Sequence, residues 1–272
     1  MRLVRTVGDV REALAAPRQE SMRIGLVPTM GAFHEGHLSL MRASLSDCEV
    51  TVVSLFVNPA QFGPHEDLAR YPRDERRDAE LAEELGVALL FAPSGEEIYP
   101  TGFDTAVEVG KLSRVLEGAV RPGHFRGVAT VCLKLFDIVG PAAAYFGRKD
   151  AQQAAVIKRM VADLNLPLEI RVMPIVRDAD GLALSSRNVY LGADERRRAL
   201  ALPRSLQAGL QAWRDGSGEE GALTAARAVL DAADGITVDY LEIADLDGLT
   251  VAGAIRVGST RLIDNVLLEE TP

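Results

Sequence analysis

The sequence predicts an α/β protein: a parallel sheet with helices on both faces, followed by a smaller α+β domain. Two observations carry that reading. Through the first two-thirds of the chain, short apolar or β-branched runs alternate with segments of helical periodicity, the pattern of successive βαβ units. Beyond about Val176, helical stretches give way to three strand-like runs on short Gly-containing turns, which suits an antiparallel sheet. A length of 272 residues accommodates a large domain plus a small one, and the expected division is 1–176 and 177–272.

Met22–Pro28 (MRIGLVP) is apolar and reads as a buried strand. His37–Asp47 carries Leu38, Met41 and Leu45 at helical spacing. Val50–Val57 is a β-branched strand closed by Asn58-Pro59. Asp74–Leu85 reads as a charged helix with a narrow apolar stripe, stopped by Gly86, and Val87–Ala92 as a third strand. Val128–Val139 is a helix with an apolar face, Ala142–Phe146 a short strand. Asp150–Leu164 is a helix opening on an acid, which the helix dipole favours, and Leu168–Arg177 a further strand. In the second domain Asp194–Arg214 and Leu223–Ala233 read as helices. Thr237–Ile243, Thr250–Val257 and Thr260–Leu267 read as strands.

With 47% hydrophobic and 25% charged residues, the composition excludes a collagen, a coiled-coil rod or a mostly disordered chain. The net charge is −9 and the pI near 5.1, with no Lys/Arg-rich tract, so no nucleic-acid partner is expected. Any anion must be met by a local cluster of donors. Cys48 and Cys132 stand far apart without a CxxC or Cys/His cluster, and read as buried free thiols, not zinc ligands. The N-terminal MRLVRTVGDVREAL carries charges every few residues, unlike a signal peptide. No run of about 18 apolar residues is present to span a membrane. A cytoplasmic protein is the expectation.

Four histidines occur, at 34, 37, 65 and 124, and two of them lie three residues apart in PTMGAFHEGHLSL, between a strand and a helix. The first helical turn leaves backbone N–H groups unpaired and favours negative charge. Gly31 and Gly36 permit tight turns, and the i, i+3 spacing puts His34 and His37 on one helix face. Carboxyl ends of strands are also where doubly wound sheets bind ligands. A role-free surface pair is the competing reading.

Four further segments attract attention for their chemistry. Gly147-Arg148-Lys149-Asp150 joins a strand to a helix, and Lys149 is one of only four lysines, able to reach a phosphate or else a solvated turn residue. Asp178–Asn188 (DADGLALSSRN) sets Ser185, Ser186 and Arg187 in a row as donors, or as the cap of a helix start. Asn58 and Gln61, in FVNPAQFG, both donate and accept, which suits reading a hydroxy acid or an amide; a polar turn is the alternative. Arg121–Gly127 (RPGHFRG) is a shaped loop in which His124 has room for a structural role.

Together these segments resemble the pantothenate synthetase (pantoate–β-alanine ligase) family. VPTMGAFHEGHLSL, SLFVNPAQFGPHEDLARYPR, RPGHFRGVATV, AYFGRKDAQQ and DGLALSSRN occur in the family's order and spacing, over nearly the whole chain. The histidine motif alone would indicate only a wider nucleotidyl-transfer superfamily. A nucleotidyltransferase that keeps the nucleotide on its product, or a non-catalytic nucleotide-binding protein, are the rival readings.

The resemblance implies ATP-dependent formation of a pantoyl adenylate and pyrophosphate, then attack by β-alanine with release of AMP. It implies a Rossmann-like N-terminal domain, a C-terminal lid, a cytoplasmic homodimer and a need for Mg²⁺. By the same resemblance, Met30, Gly31, Ala32, Phe33, His34, Glu35, Gly36 and His37 form an ATP-binding segment, with His37 as proton donor and His34 as its partner. Gly147, Arg148, Lys149, Asp150, Val176, Leu184, Ser185, Ser186 and Arg187 are further ATP contacts, Lys149 acting in catalysis. Gln61 and Gln153 contact pantoate, Gln61 also β-alanine. The family often has Glu where Arg148 stands, and adjacent acids where Arg77 precedes Asp78, so any metal role rests on Asp78.

Overall fold

A computed structural model describes residues 1–64 and 66–269; His65 and the last three residues lie outside the described residues. The chain forms two units: Met1–Gly147 with Gln153–Met173, and Arg148–Gln152 with the chain from Pro174 onward.

The first unit contains, in order, β1 (Arg2–Val4), α1 (Val7–Ala13), α2 (Ala15–Gln19), β2 (Ile24–Thr29), α3 (Glu35–Asp47) and β3 (Val50–Leu55). There follow α4 (Glu75–Leu85), β4 (Leu89–Phe91), α5 (Gly95–Ile98), α6 (Glu117–Val120), α7 (His124–Val139), β5 (Ala143–Gly147), all but the first two residues of α8 (Ala151–Asp163), and β6 (Glu169–Met173). The strands form one parallel sheet in the order β1-β4-β3-β2-β5-β6. Alternate side chains enter different cores, as strand geometry requires. Leu26, Val52, Phe91 and Ala144 join the apolar face of α7, where Phe125, Val128, Cys132, Leu135, Phe136 and Val139 recur at helical spacing. Val27, Val53, Leu90 and Tyr145 face Met41 of α3 and Ala82 of α4. Burial on both faces explains why the central strands read as unbroken apolar runs. At the edge, β6 is only half-buried and carries an exposed Glu169–Arg171 ion pair.

The chain leaves β2 toward β3 on one side, whereas β5, the neighbour of β2, leads to β6 on the other. That reversal makes the carboxyl ends of β2 and β5 a topological switch point, the usual ligand position in such sheets.

In the second unit, α9 (Ala193–Ala199), α10 (Ala201–Arg214) and α11 (Gly218–Asp231) pack on an antiparallel sheet of β7 (Ile236–Asp245), β8 (Leu249–Val257) and β9 (Thr260–Glu269), with β8 central. Its core joins Leu202 and Leu206 of α10, Ala226 and Leu230 of α11, and Val251, Ile255 and Val257 of β8. The α/β sheet with a smaller α+β region matches the expected fold class.

Several boundaries differ from the sequence reading. The expected helix 194–214 is two, divided at Leu200, because Pro203 has no N–H to give the Ala199 carbonyl. The strand expected to run to Arg177 ends at Met173, before Pro174. Helix α7 begins four residues early, at His124, and α11 begins at Gly218. The short strand β1 was not anticipated; it pairs parallel with β4.

Candidate active site

The corner between β2 and α3 is built from its own side chains. Gly31 has φ +90°, and a Cβ there would lie 2.7 Å from Leu55 Cδ1 and 2.9 Å from Asp78 Oδ2, so only glycine fits. His34 is the N-cap of α3, and its Nδ1 accepts from the Gly36 N–H at 3.2 Å. His37 Nδ1 accepts in turn from the His34 N–H at 3.4 Å. The two rings stand 4.2 Å apart, centre to centre. An Nδ1 that accepts a backbone N–H carries no proton, so each neutral ring bears its proton on Nε2, on the opposite ring edge.

Asp78, on α4, is 2% exposed. Its Oδ2 accepts from the Ala32 N–H at 2.8 Å and its Oδ1 from the Phe33 N–H at 2.7 Å. Burial pushes this carboxyl above its ordinary value, while the two N–H groups pull the other way. The residue on which a metal role rested is thus a fastener of the corner. Among the described residues, no group of three or more His, Cys, Asp or Glu is arranged to hold a metal ion.

After β3 comes a 3-10 turn, Pro59–Gln61, capped by Asn58. Gln61 is 8% exposed. Its Oε1 accepts from Asn58 Nδ2 at 3.0 Å, and its Nε2 donates to Met30 Sδ at 3.3 Å, tying this turn to the loop after β2. Asn58 also donates to the Gly127 carbonyl and accepts from the Tyr99 hydroxyl at 2.8 Å. Burial pushes that hydroxyl up to about 12, so it stays a donor. Gly127 is needed for contact: a Cβ there would lie 2.2 Å from the Ala60 carbonyl oxygen. The RPGHFRG segment is therefore the seat of the Asn58–Gln61 turn. Gln153, in the first turn of α8, is half-buried.

In the second unit, Arg148–Asp150 form a 3-10 turn. Asn265 of β9 donates to the carbonyls of Arg148 and Lys149 at 2.8 and 3.0 Å. The Arg148 guanidinium reaches the Asp247 carbonyl and Thr250 Oγ1. Lys149 Nζ lies 3.5 Å from Asp150 Oδ1. Asp178–Gly181 is a turn whose flanks pair through Leu184 N–H to the Val176 carbonyl, 3.0 Å. Arg177 clamps it through both oxygens of Asp264, at 2.7 and 3.0 Å, and Arg196 binds Asp178 and Asp180. Ser185 caps the 3-10 turn Ser186–Tyr190 through the Arg187 N–H.

Within the first unit, the structure joins Met30 with Gln61, and Ala32 and Phe33 with Asp78, beside the paired histidines. Within the second, it seats the Arg148–Asp150 turn on β8 and β9. Sequence reasoning missed Asn265, which carried no motif signal, and the fastening role of Asp78; it left His124 open.

A profile of the family described as Pantoate-beta-alanine ligase matches residues 2–267. Pantothenate synthetase 1 of Bradyrhizobium diazoefficiens is 52% identical over 284 residues, covering 100% of both chains. The pantothenate synthetase of Roseiflexus castenholzii is 54% identical, over 99% of this chain and 100% of its own. Among solved structures, the pantothenate synthetase from Thermus thermophilus has a TM-score of 0.94 at 48% identity, covering 99% of this chain and 100% of that one. The pantoate-beta-alanine ligase from Francisella tularensis, complexed with beta-gamma ATP and beta-alanine, has a TM-score of 0.84 at 34% identity, covering 100% and 99%.

Proposed function

The chain belongs to the pantoate-beta-alanine ligase family and is an enzyme of that kind, and on this premise we propose that it joins pantoate to β-alanine through a pantoyl adenylate. In the first step a carboxylate oxygen of pantoate attacks the α-phosphorus of ATP and the bond to the bridging oxygen breaks, releasing pyrophosphate. In the second, the free amine of β-alanine attacks the acyl carbon. The acyl–oxygen bond breaks, AMP leaves, and the amine gives up a proton.

Pantoate's carboxylate is already ionised at neutral pH, so the first step needs no general base and rests on positioning and charge stabilisation. His34 and His37 donate Nε2–H to the phosphate oxygens as negative charge builds there. The backbone from Met30 to His37, Lys149 with its turn Gly147–Asp150, Val176, and Leu184 to Arg187 hold the nucleotide. Gln61 and Gln153 read pantoate, Gln61 also β-alanine. Mg²⁺ enters as the counter-ion of ATP's phosphates, part of the substrate; Asp78 is committed to the Ala32 and Phe33 N–H groups. No helix among the described residues is long and apolar enough to cross a membrane. A cytoplasmic homodimer completes the reading.

The observation that carries this mechanism is the reciprocal histidine cap, which turns two Nε2–H donors away from the helix start. The test is exchange of labelled pyrophosphate into ATP with β-alanine omitted. Exchange that requires pantoate is expected. Pantothenate formation without any such exchange would overturn the adenylate route.

A further inference from the structure

We propose that His124 is a positioning residue that fixes the substrate-reading Gln61 through a hydrogen bond to its backbone carbonyl. The inference rests on the reading of Gln61 as a pantoate contact. The turn that carries Gln61 is a single 3-10 turn with weak internal support: Gln61 N–H to the Asn58 carbonyl at 3.5 Å and Phe62 N–H to the Pro59 carbonyl at 3.2 Å. Beyond the Asn58 side-chain cap, its geometry must come from outside.

His124, the first residue of α7, supplies it. Its Nδ1 lies 2.8 Å from the Gln61 carbonyl oxygen, which can only accept, so Nδ1 bears the proton. Its Nε2 lies 3.2 Å from Arg121 Nη1, which can only donate, so Nε2 accepts. The two neighbours select one neutral tautomer. Arg121 is itself anchored: Nε and Nη2 donate to Glu66 at 2.8 and 2.6 Å, and Nη1 lies 3.5 Å from Glu117. Its Nη2 also reaches the Gln61 carbonyl at 3.4 Å. Two carboxylates hold a guanidinium, the guanidinium holds an imidazole, and the imidazole holds the carbonyl of Gln61. Burial, and then the Arg121 charge, lower the His124 imidazole to about 4, so the donor persists across neutral pH.

The test is steady-state kinetics of the intact enzyme with His124→Ala, His124→Asn and His124→Gln. Losing the donor leaves the carbonyl only the longer Arg121 Nη2 contact at 3.4 Å, so His124→Ala is expected to raise KM for pantoate roughly tenfold, with KM for ATP within about twofold. Asparagine places an N–H where the imidazole Nδ1–H stood, so His124→Asn stays within about threefold of wild type. Glutamine carries its N–H one carbon further out and behaves like alanine. If His124→Ala does not fold, the difference between His124→Asn and His124→Gln decides. Equal KM values for those two variants, or pantoate and ATP KM values rising together, would overturn the inference. A wild-type enzyme without pantoate-dependent turnover would overturn the reading of Gln61 and this inference with it.

Discussion

A histidine serves as a proton carrier or as a rigid plane with a donor on one edge and an acceptor on the other. The described histidines use the second property in opposite senses. His34 and His37 accept at Nδ1 and so present Nε2–H, whereas His124 donates at Nδ1 and accepts at Nε2. The spacing of His34 and His37 was legible in the sequence, although His34 is the extended N-cap and the pair is a capping box, not two residues on one helix face. Their tautomers were not, since these depend on which backbone N–H each ring caps. The half-buried His124 has a consequence for stability. Its folded value, about 4, lies below the unfolded value of 6.5, so between these the unfolded chain binds more protons. Stability is therefore expected to fall as pH drops from about 6.5 toward 4, by about 3 kcal/mol from this group alone. Denaturant titrations of wild type and His124→Asn across that window check it. The gap between the two should narrow on acidification, and a pH-independent gap would contradict a neutral imidazole held below its ordinary value.

At the scale of elements, the loop after β2 owes its shape to a helix far from it in sequence. Asp78 of α4 accepts both the Ala32 and Phe33 N–H groups, and Gly31 leaves room for its carboxylate. Replacing one acceptor oxygen by an amide N–H₂, as in Asp78→Asn, sets donor against donor. ATP affinity, measured by calorimetric titration, is expected to weaken roughly tenfold; unchanged affinity would contradict the fastening role. Periodicity made most elements legible, since their burial follows a period of two or 3.6 residues. It failed where a non-local partner decides. Three residues of β1 form a strand only because β4 offers an edge, and the seat of the Asn58 turn depends on Tyr99 and Gly127, which are 41 and 69 residues away. Pro203, visible in the sequence, marked a break that the apolar periodicity of 194–214 masked.

On the scale of the whole molecule, each unit has its own apolar core. The grouping of Arg148–Gln152 with the second unit was not legible. It depends on Asn265 holding two carbonyls from 117 and 116 residues away, with Arg148 on Thr250. Tertiary hydrogen bonds, which the order of motifs along the chain does not reveal, determine how each of these segments is held. The central claim is that the paired imidazoles at the carboxyl end of β2 stabilise charge during adenylate formation. The most direct measurement is the single-turnover rate of that step in His37→Asn. Asparagine Oδ1 can still accept the His34 N–H, so the cap survives while the Nε2–H donor is lost. A fall of about 100- to 1,000-fold is expected, with thermal stability close to wild type. A rate within about tenfold of wild type would contradict the claim.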